Sequence, residues 1–254
     1  MSGAEPVIRV RDLTARYGDR TVLDAVSFDV HQGEIFGILG GSGCGKSTLL
    51  KHLIGLYEPA SGSIELCGED LTAATGPART GLLRRIGVMY QSGALFGSMT
   101  LLQNVSLPLE EFTDLDRETR ELIGRLKLQM VSLSGFEAHL PAEISGGMKK
   151  RAGIARALAL DPAVLFLDEP SAGLDPITSA ELDELILQLN RSLGMTMVIV
   201  THELPSIFAT VGRAILLDKE TKGIGETGNP KDLQSKSENR WVRDFFNRRT
   251  ATEG

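Results

Sequence analysis

The segment Gly40-Gly41-Ser42-Gly43-Cys44-Gly45-Lys46-Ser47 fits the pattern G-x-x-x-x-G-K-[ST] and leaves few folds open to the chain. The pattern carries meaning only between a strand and a helix, and the flanking sequence supplies both. Residues 35–39 are a short, mostly apolar run that predicts a buried strand, and Leu49, Leu50, Leu53 and Leu56 predict a helix over 47–56. Strand, tight glycine loop and helix together make a phosphate cradle. Glycines let successive backbone N–H groups converge on phosphate oxygens, and the helix N-terminus adds positive dipole character. Lys46 can reach terminal phosphates and Ser47 can ligate Mg²⁺. The bland alternative, a glycine-rich turn that binds nothing, is disfavoured by the complete spacing in the required context. Composition agrees, since 28 of 254 residues are glycine and the excess calls for tight turns or close approach to a ligand.

The rest of the chain reads as α/β. Val26, Phe28 and Val30 alternate with polar residues, and Ile8 with Val10 suggests a second strand, so the opening segment looks antiparallel and β-rich. Buried-strand signals recur at 86–90, 163–167 and 195–200. Between the last two, Leu182, Leu185, Ile186, Leu189 and Leu193 follow helical spacing, as a crossover in a parallel sheet requires. Residues 94–160 hold no convincing strand, whereas 118–130 and 147–160 predict helices, the second ended by Asp161-Pro162. The expected layout is a core of residues 1–94 and 159–228, a helical insertion over 95–158 and a polar tail over 229–254. In the tail, Trp241, Val242, Phe245 and Phe246 at helical spacing are flanked by Arg240, Arg243, Arg248 and Arg249, and burial of these aromatics against protein is the expected outcome.

Hydrophobic residues at 42% and charged residues at 24% exclude disordered and fibrous classes, and a net charge of −6 argues against a surface built to coat nucleic acid. Lys149-Lys150-Arg151 reads as a solvated helix face. Cys44 and Cys67 are too few for a disulfide framework or a zinc site, which points to a reducing cytosol. Within the phosphate loop, Cys44 reads better as a small tolerated side chain than as a reactive thiol. No apolar run is long enough to span a bilayer, and the first residues lack the pattern of a secretory signal.

Two further motifs carry chemistry. Val164-Leu165-Phe166-Leu167-Asp168-Glu169 is an apolar strand ending in carboxylates: Asp168 can hold Mg²⁺, and Glu169 can orient or deprotonate an attacking water. Alone such a pair is more often a helix cap or solvated turn, and the phosphate cradle reverses that balance. Ile144-Ser145-Gly146-Gly147-Met148 opens a helix and makes a second potential anion site.

With these motifs in this order, the chain resembles the ATP-binding subunits of ABC transporters along nearly its whole length. The resemblance implies an ABC-type P-loop NTPase: an α/β fold with a mixed-sheet core, an antiparallel β subdomain and an inserted α-helical subdomain. It implies ATP and Mg²⁺ as cofactors, held by Gly40, Gly41, Ser42, Gly43, Cys44, Gly45, Lys46, Ser47 and Thr48, with Tyr17 stacking on adenine. It also implies Ser47, Gln91 and Asp168 at the metal, Glu169, His202 and Lys46 as catalytic groups, and a connecting loop over 171–175. Ser145, Gly146 and Gly147 would close over the nucleotide held by a second copy of the chain, so a homodimer sandwiching two ATP is expected. Two residues depart from the family signature: Ile144 replaces leucine, and Met148 replaces glutamine, which puts one polar contact in doubt.

Residues 91–105 and 145–151, together with Asp175-Pro176-Ile177-Thr178 and Thr201-His202-Glu203-Leu204, look like the MlaF-type ATPases of bacterial Mce/Mla lipid-transport systems. That resemblance implies an MlaE-type integral membrane permease, an MCE-domain lipid-binding protein, a small STAS-domain protein and a phospholipid or other hydrophobic cargo. It places the chain peripherally on the cytoplasmic face of the inner membrane, with no nucleic acid partner. The alternatives are an ATPase serving an importer of small polar solutes and a soluble ABC ATPase acting on DNA or ribosomes. A noncatalytic nucleotide-binding regulator is opposed by Lys46, Asp168, Glu169 and His202. Residues 94–109, mostly apolar beside Gln91, serve equally well as a permease dock or as ordinary core.

Overall fold

The computed structural model describes residues 5–248; Arg249, the last of the tail arginines, lies outside them. In chain order the first elements are β1 (Pro6–Tyr17), β2 (Arg20–His31), β3 (Ile35–Gly40), α1 (Lys46–Leu53), β4 (Ser61–Leu66), β5 (Glu69–Asp70), α2 (Gly76–Leu83) and β6 (Ile86–Met89). The helical insertion follows as α3 (Leu101–Phe112), α4 (Arg117–Met130) and α5 (Gly146–Ala157). The chain then returns through β7 (Val164–Asp168), α6 (Pro176–Leu193), β8 (Thr196–Val200), α7 (Leu204–Thr210), β9 (Arg213–Leu217) and β10 (Ile224–Gly228), and closes with α8 (Pro230–Lys236) and α9 (Arg240–Asn247).

Two sheets result. The smaller runs β2-β1-β4-β5 and is antiparallel, as the alternation in the opening segment requires. The larger runs β10-β9-β3-β8-β7-β6, parallel from β9 to β6 with β10 antiparallel at one edge. Every residue of β3 and β8 is buried, the mark of parallel strands covered on both faces. One core lies between the two sheets around α1, with Phe28 stacked on Phe36 at 5.5 Å between ring centres. A second lies under α3, α5 and α6 on the other face of the large sheet. Because β3, β7 and β8 are parallel, Gly40, Asp168 and Val200 end side by side at one edge of the sheet, where ligands of such folds bind.

The structure differs from the sequence reading in several places. Residues 94–109, open between dock and core in the sequence, are divided rather than reversed: Leu101, Val105 and Leu109 are core, while Phe96 remains half exposed. Asn104 is fully buried and pins the preceding loop, accepting from Phe96 N and donating to the carbonyls of Phe96, Met99 and Thr100. The polar tail holds a second helix, α8, started by the Asn229 side chain and Pro230. Val242 and Phe246 of α9 pack with Leu39, Ile207 and Leu216 in a third cluster, whereas Trp241 stays partly exposed. Among the described residues, no helix is long and apolar enough to cross a membrane.

Candidate active site

The loop from β3 into α1 is glycine-rich for reasons of shape. Gly40, Gly43 and Gly45 have φ of 145°, 75° and 108°, a region that L side chains avoid. A Cβ on Gly40 would stand 2.6 Å from Cys44 Sγ and 2.7 Å from the Leu217 carbonyl, and one on Gly45 would stand 2.7 Å from Leu23 Cδ2. The loop is therefore folded tightly onto β9 and β2. No side chain caps α1, so its first N–H groups keep their capacity for an anion. Lys46 Nζ donates to the carbonyls of Gly40 at 2.8 Å and Gly41 at 3.0 Å, holding the ammonium over the loop. Ser42 and Ser47 are exposed at this mouth, and Thr48 is half-buried. Cys44 points inward and is 2% exposed; burial pushes its thiol up despite the charge of Lys46. Tyr17, half exposed at the end of β1, brings its hydroxyl within 3.5 Å of Thr48 Oγ1 and so stands beside the start of α1.

Across the sheet edge, Asp168 ends β7. Its carboxyl is pushed up by burial and, secondarily, by the charge of Glu169, while Lys46 and Lys150 pull the other way. A cation seated there would relieve that tension. Glu169 itself adopts φ of 46°, left-handed and unfavourable for a residue with a side chain. Its amide donates to Val200 O at 2.8 Å, and its carboxylate accepts from Thr201 Oγ1 at 3.0 Å and lies 2.7 Å from His202 Nδ1. The loop after β6 carries exposed Gln91, whose carbonyl accepts from the buried Lys150 of α5. Arg156, also on α5, donates to the carbonyls of Ala94 at 2.7 Å and Gly93 at 3.1 Å.

The structure thus brings Lys46, Gln91, Asp168, Glu169 and His202 to one edge, with Tyr17 beside α1. It does not bring Ser145, Gly146 and Gly147 there. Ser145 caps α5 by accepting from Met148 N at 3.2 Å, Gly146 faces Leu174, and Gly147 is pressed against Thr178 at the start of α6. Within residues 171–175, Gly173 is left-handed and Asp175 caps α6 through Ile177 N and Thr178 N. Three contributors escape a reading of the sequence: Lys150, Arg156 and Thr201. The first two, with Gly153, recur at i, i+3 on one face of α5, a spacing that could mark them.

The donors at this edge suit Mg²⁺. The Ser47 hydroxyl, Gln91 amide and Asp168 carboxylate offer hard oxygen donors of the kind Mg²⁺ prefers, and among the described residues no cage of three or more His, Cys, Asp or Glu side chains is present. That combination fits an ion that keeps water and phosphate oxygens in its shell.

Comparison with known proteins agrees with this geometry. Residues 23–172 match the ABC transporter family. The chain is 41% identical over 245 residues to the probable ribonucleotide transport ATP-binding protein mkl of Mycobacterium leprae, covering 95% of this chain and 69% of that protein. It is 39% identical over 213 residues to the methionine import ATP-binding protein MetN of Brucella abortus, covering 84% of this chain and only 58% of that protein. Among solved structures, the ATP-binding cassette MJ0796, a dimer in a post-hydrolysis state bound to ADP and Pi, is 29% identical with a TM-score of 0.78, covering 87% of this chain and 98% of that one. The cbiO1 protein of Clostridium perfringens, part of the cbiONQ ABC transporter complex, is 28% identical with a TM-score of 0.83, covering 91% and 92%. The chain belongs to the ABC transporter family, as an ATPase subunit that hydrolyses ATP with Mg²⁺.

Proposed function

We propose that this chain works as one half of a homodimeric ATPase on the cytoplasmic face of a bacterial inner membrane, driving a lipid-transporting permease of the MlaE type. The observation that carries the dimer is the separation just described: the phosphate loop and the Ser145-Gly146-Gly147 helix start are built on different elements, and Ser145 and Gly146 are exposed. A second copy supplies the missing cradle to each nucleotide. In this arrangement Lys46 and the α1 amides hold the phosphates, and Ser47, Gln91 and Asp168 would hold Mg²⁺, whose charge would offset that of the phosphate oxygens. Glu169 orients the attacking water, with Thr201 and His202 fixing its carboxylate. Loss of the bridging phosphate lets the halves part, and that motion is the output.

Support for the lipid reading lies in how its two sequence stretches meet. The loop after Gln91 is fastened to the helix begun by the signature through Lys150 and Arg156, so the two stretches that carry the resemblance lie together in the fold and can be met by one partner. Next to it, Leu83, Ile86, Pro108, Phe112 and Ala157 line an apolar groove of about 380 Å³, where a cytoplasmic helix of the permease docks. An MCE-domain protein and a small STAS-domain protein complete the assembly.

The test is affinity purification from detergent-solubilised membranes, with mass spectrometry of proteins and bound lipid. Recovery of a permease, an MCE-domain protein and phospholipid is expected. A permease with a polar-solute receptor would favour the importer reading suggested by the MetN likeness, and ribosomal or DNA-bound partners would overturn transport. For the dimer, Glu169→Gln should bind ATP, turn over very slowly and accumulate as a dimer in light scattering. A variant that stays monomeric at saturating ATP with its membrane partner present would sink the sandwich.

A further inference from the structure

Lys150 stands where the sequence suggests a solvated charge, yet it is 5% exposed. A buried ammonium is costly unless its donors are used, and an apolar side chain would fill the space without that penalty. Its partners explain the charge. The ammonium donates to the Gln91 carbonyl and, at 3.1 Å, to the Glu169 carbonyl. One side chain from the helical insertion therefore grips the main chain at the ends of β6 and β7 together. Both partners are unusual. Gln91 begins the loop that returns to α5, and Glu169 carries a left-handed backbone that needs outside support. Its amide is held by Val200 and its carboxylate by Thr201 and His202; the remaining polar group, the carbonyl, accepts from the Ala172 amide at 3.2 Å and from Lys150, the one of these two donors that comes from the helical insertion. Burial pulls the ammonium's pKa down, and the negative charges of Asp168 and Glu169 offset that only in part.

We infer that Lys150 is a positioning residue for ATP hydrolysis: by tying the Gln91 and Glu169 carbonyls together, it fixes the direction of the Glu169 carboxylate and locks the helical insertion to it. Lys150 touches no nucleotide in this role. Its removal leaves ATP binding intact and misplaces the group that handles the water. Displacement of a reacting group by about 1 Å can lower turnover by about 100-fold.

The experiment compares Lys150→Met, which keeps the length and removes the donors, with Lys150→Gln, which keeps an amide donor, in the full-length ATPase. Steady-state kinetics should show kcat falling by about 10- to 100-fold in Lys150→Met and less in Lys150→Gln, with KM for ATP within about threefold of the parent. The half-buried neighbour Lys149→Met, whose side chain grips neither carbonyl, should match the parent. In a Glu169→Gln background, single-turnover rates should hardly change when Lys150→Met is added, because the group being positioned is already lost. Parental kcat in Lys150→Met would overturn the inference. So would equal losses in the Met and Gln variants, a rise in KM that accounts for the whole defect, or the same fold-loss in the Glu169→Gln background. Should Lys150→Met fail to fold, Lys150→Gln decides alone: a kcat loss in the parent that disappears in the Glu169→Gln background supports the inference, and an equal loss in both backgrounds overturns it.

Discussion

Two helix starts in this molecule are rich in glycine, and they use it differently. At α1, Gly40, Gly43 and Gly45 are there for backbone conformation: each has positive φ, and the loop has no side-chain cap. At α5, Gly146 and Gly147 lie outside that region, and Ser145 caps the helix. There glycine removes bulk, most visibly at Gly147, where a Cβ would stand 2.5 Å from Thr178 Cγ2. The first start has the form of an anion cradle, with no side chain capping its amides and its lysine already held over the loop. The second is partly satisfied by its own serine and offers an open surface at Gly146. In the proposed homodimer, the first start binds phosphate by itself and the second works only when it closes on the nucleotide of a partner copy.

The largest expected effect tests the first half of that contrast. Lys46→Ala should lower ATP turnover by at least about 100-fold, the scale of losing one preorganised charge-stabilising donor. Phosphate release assayed at saturating Mg²⁺-ATP would measure it. Turnover within a few-fold of the parent would mean that the α1 loop is not where the terminal phosphates sit.

How much of this contrast is legible in the sequence depends on which interactions are local. The phosphate loop is readable because spacing, strand and helix all lie within residues 35–56, and β7 with Asp168 is readable because an apolar run ends in carboxylates. The antiparallel opening follows from alternation at Val26, Phe28 and Val30. Three features are hidden, two by local masking and one by tertiary context. Helix α3 contains Pro108, which masks the Leu101, Val105 and Leu109 spacing, and its start depends on the reciprocal Thr100–Gln103 cap. Strand β9 follows α7 after only a short turn, so its apolar run merges with the helix before it. Lys150 reads as solvated because adjacent charges usually are; only the return of β6 and β7 to α5 buries it.

A smaller effect separates shape from closeness with one substitution at two places. Gly45→Ala forces a side chain into a φ of 108° against Leu23 and should destabilise the fold by about 1–3 kcal/mol. Each kcal/mol corresponds to about 2–4 °C in Tm for a chain of this size. Gly146→Ala places a Cβ no nearer than 3.6 Å to Leu174, so stability should stay within about 0.5 kcal/mol. Its turnover should nonetheless fall by about tenfold or more, because the added carbon occupies the surface on which a phosphate must close. Thermal unfolding with parallel ATPase assays would read both. Equal destabilisation by the two variants would erase the distinction between the helix starts.

The smallest effect asks how firmly the α1 loop is packed. Cys44 lies in that loop with its thiol buried against Gly40 and pushed up by burial, so at neutral pH it holds little thiolate. Cys67, half-buried in the turn between β4 and β5, is the internal reference. Alkylation followed by mass spectrometry should modify Cys67 first, and Cys44 only as the loop opens. Since the loop is closed before nucleotide arrives, Mg²⁺-ATP should change Cys44 labelling by less than about twofold, the small end of local-opening effects. Raising the pH should speed Cys44 labelling as thiolate forms. Labelling of Cys44 as fast as Cys67, together with strong protection by ATP, would show a loop that organises only around its ligand. The cradle at α1 would then be no more complete in the free chain than the start of α5.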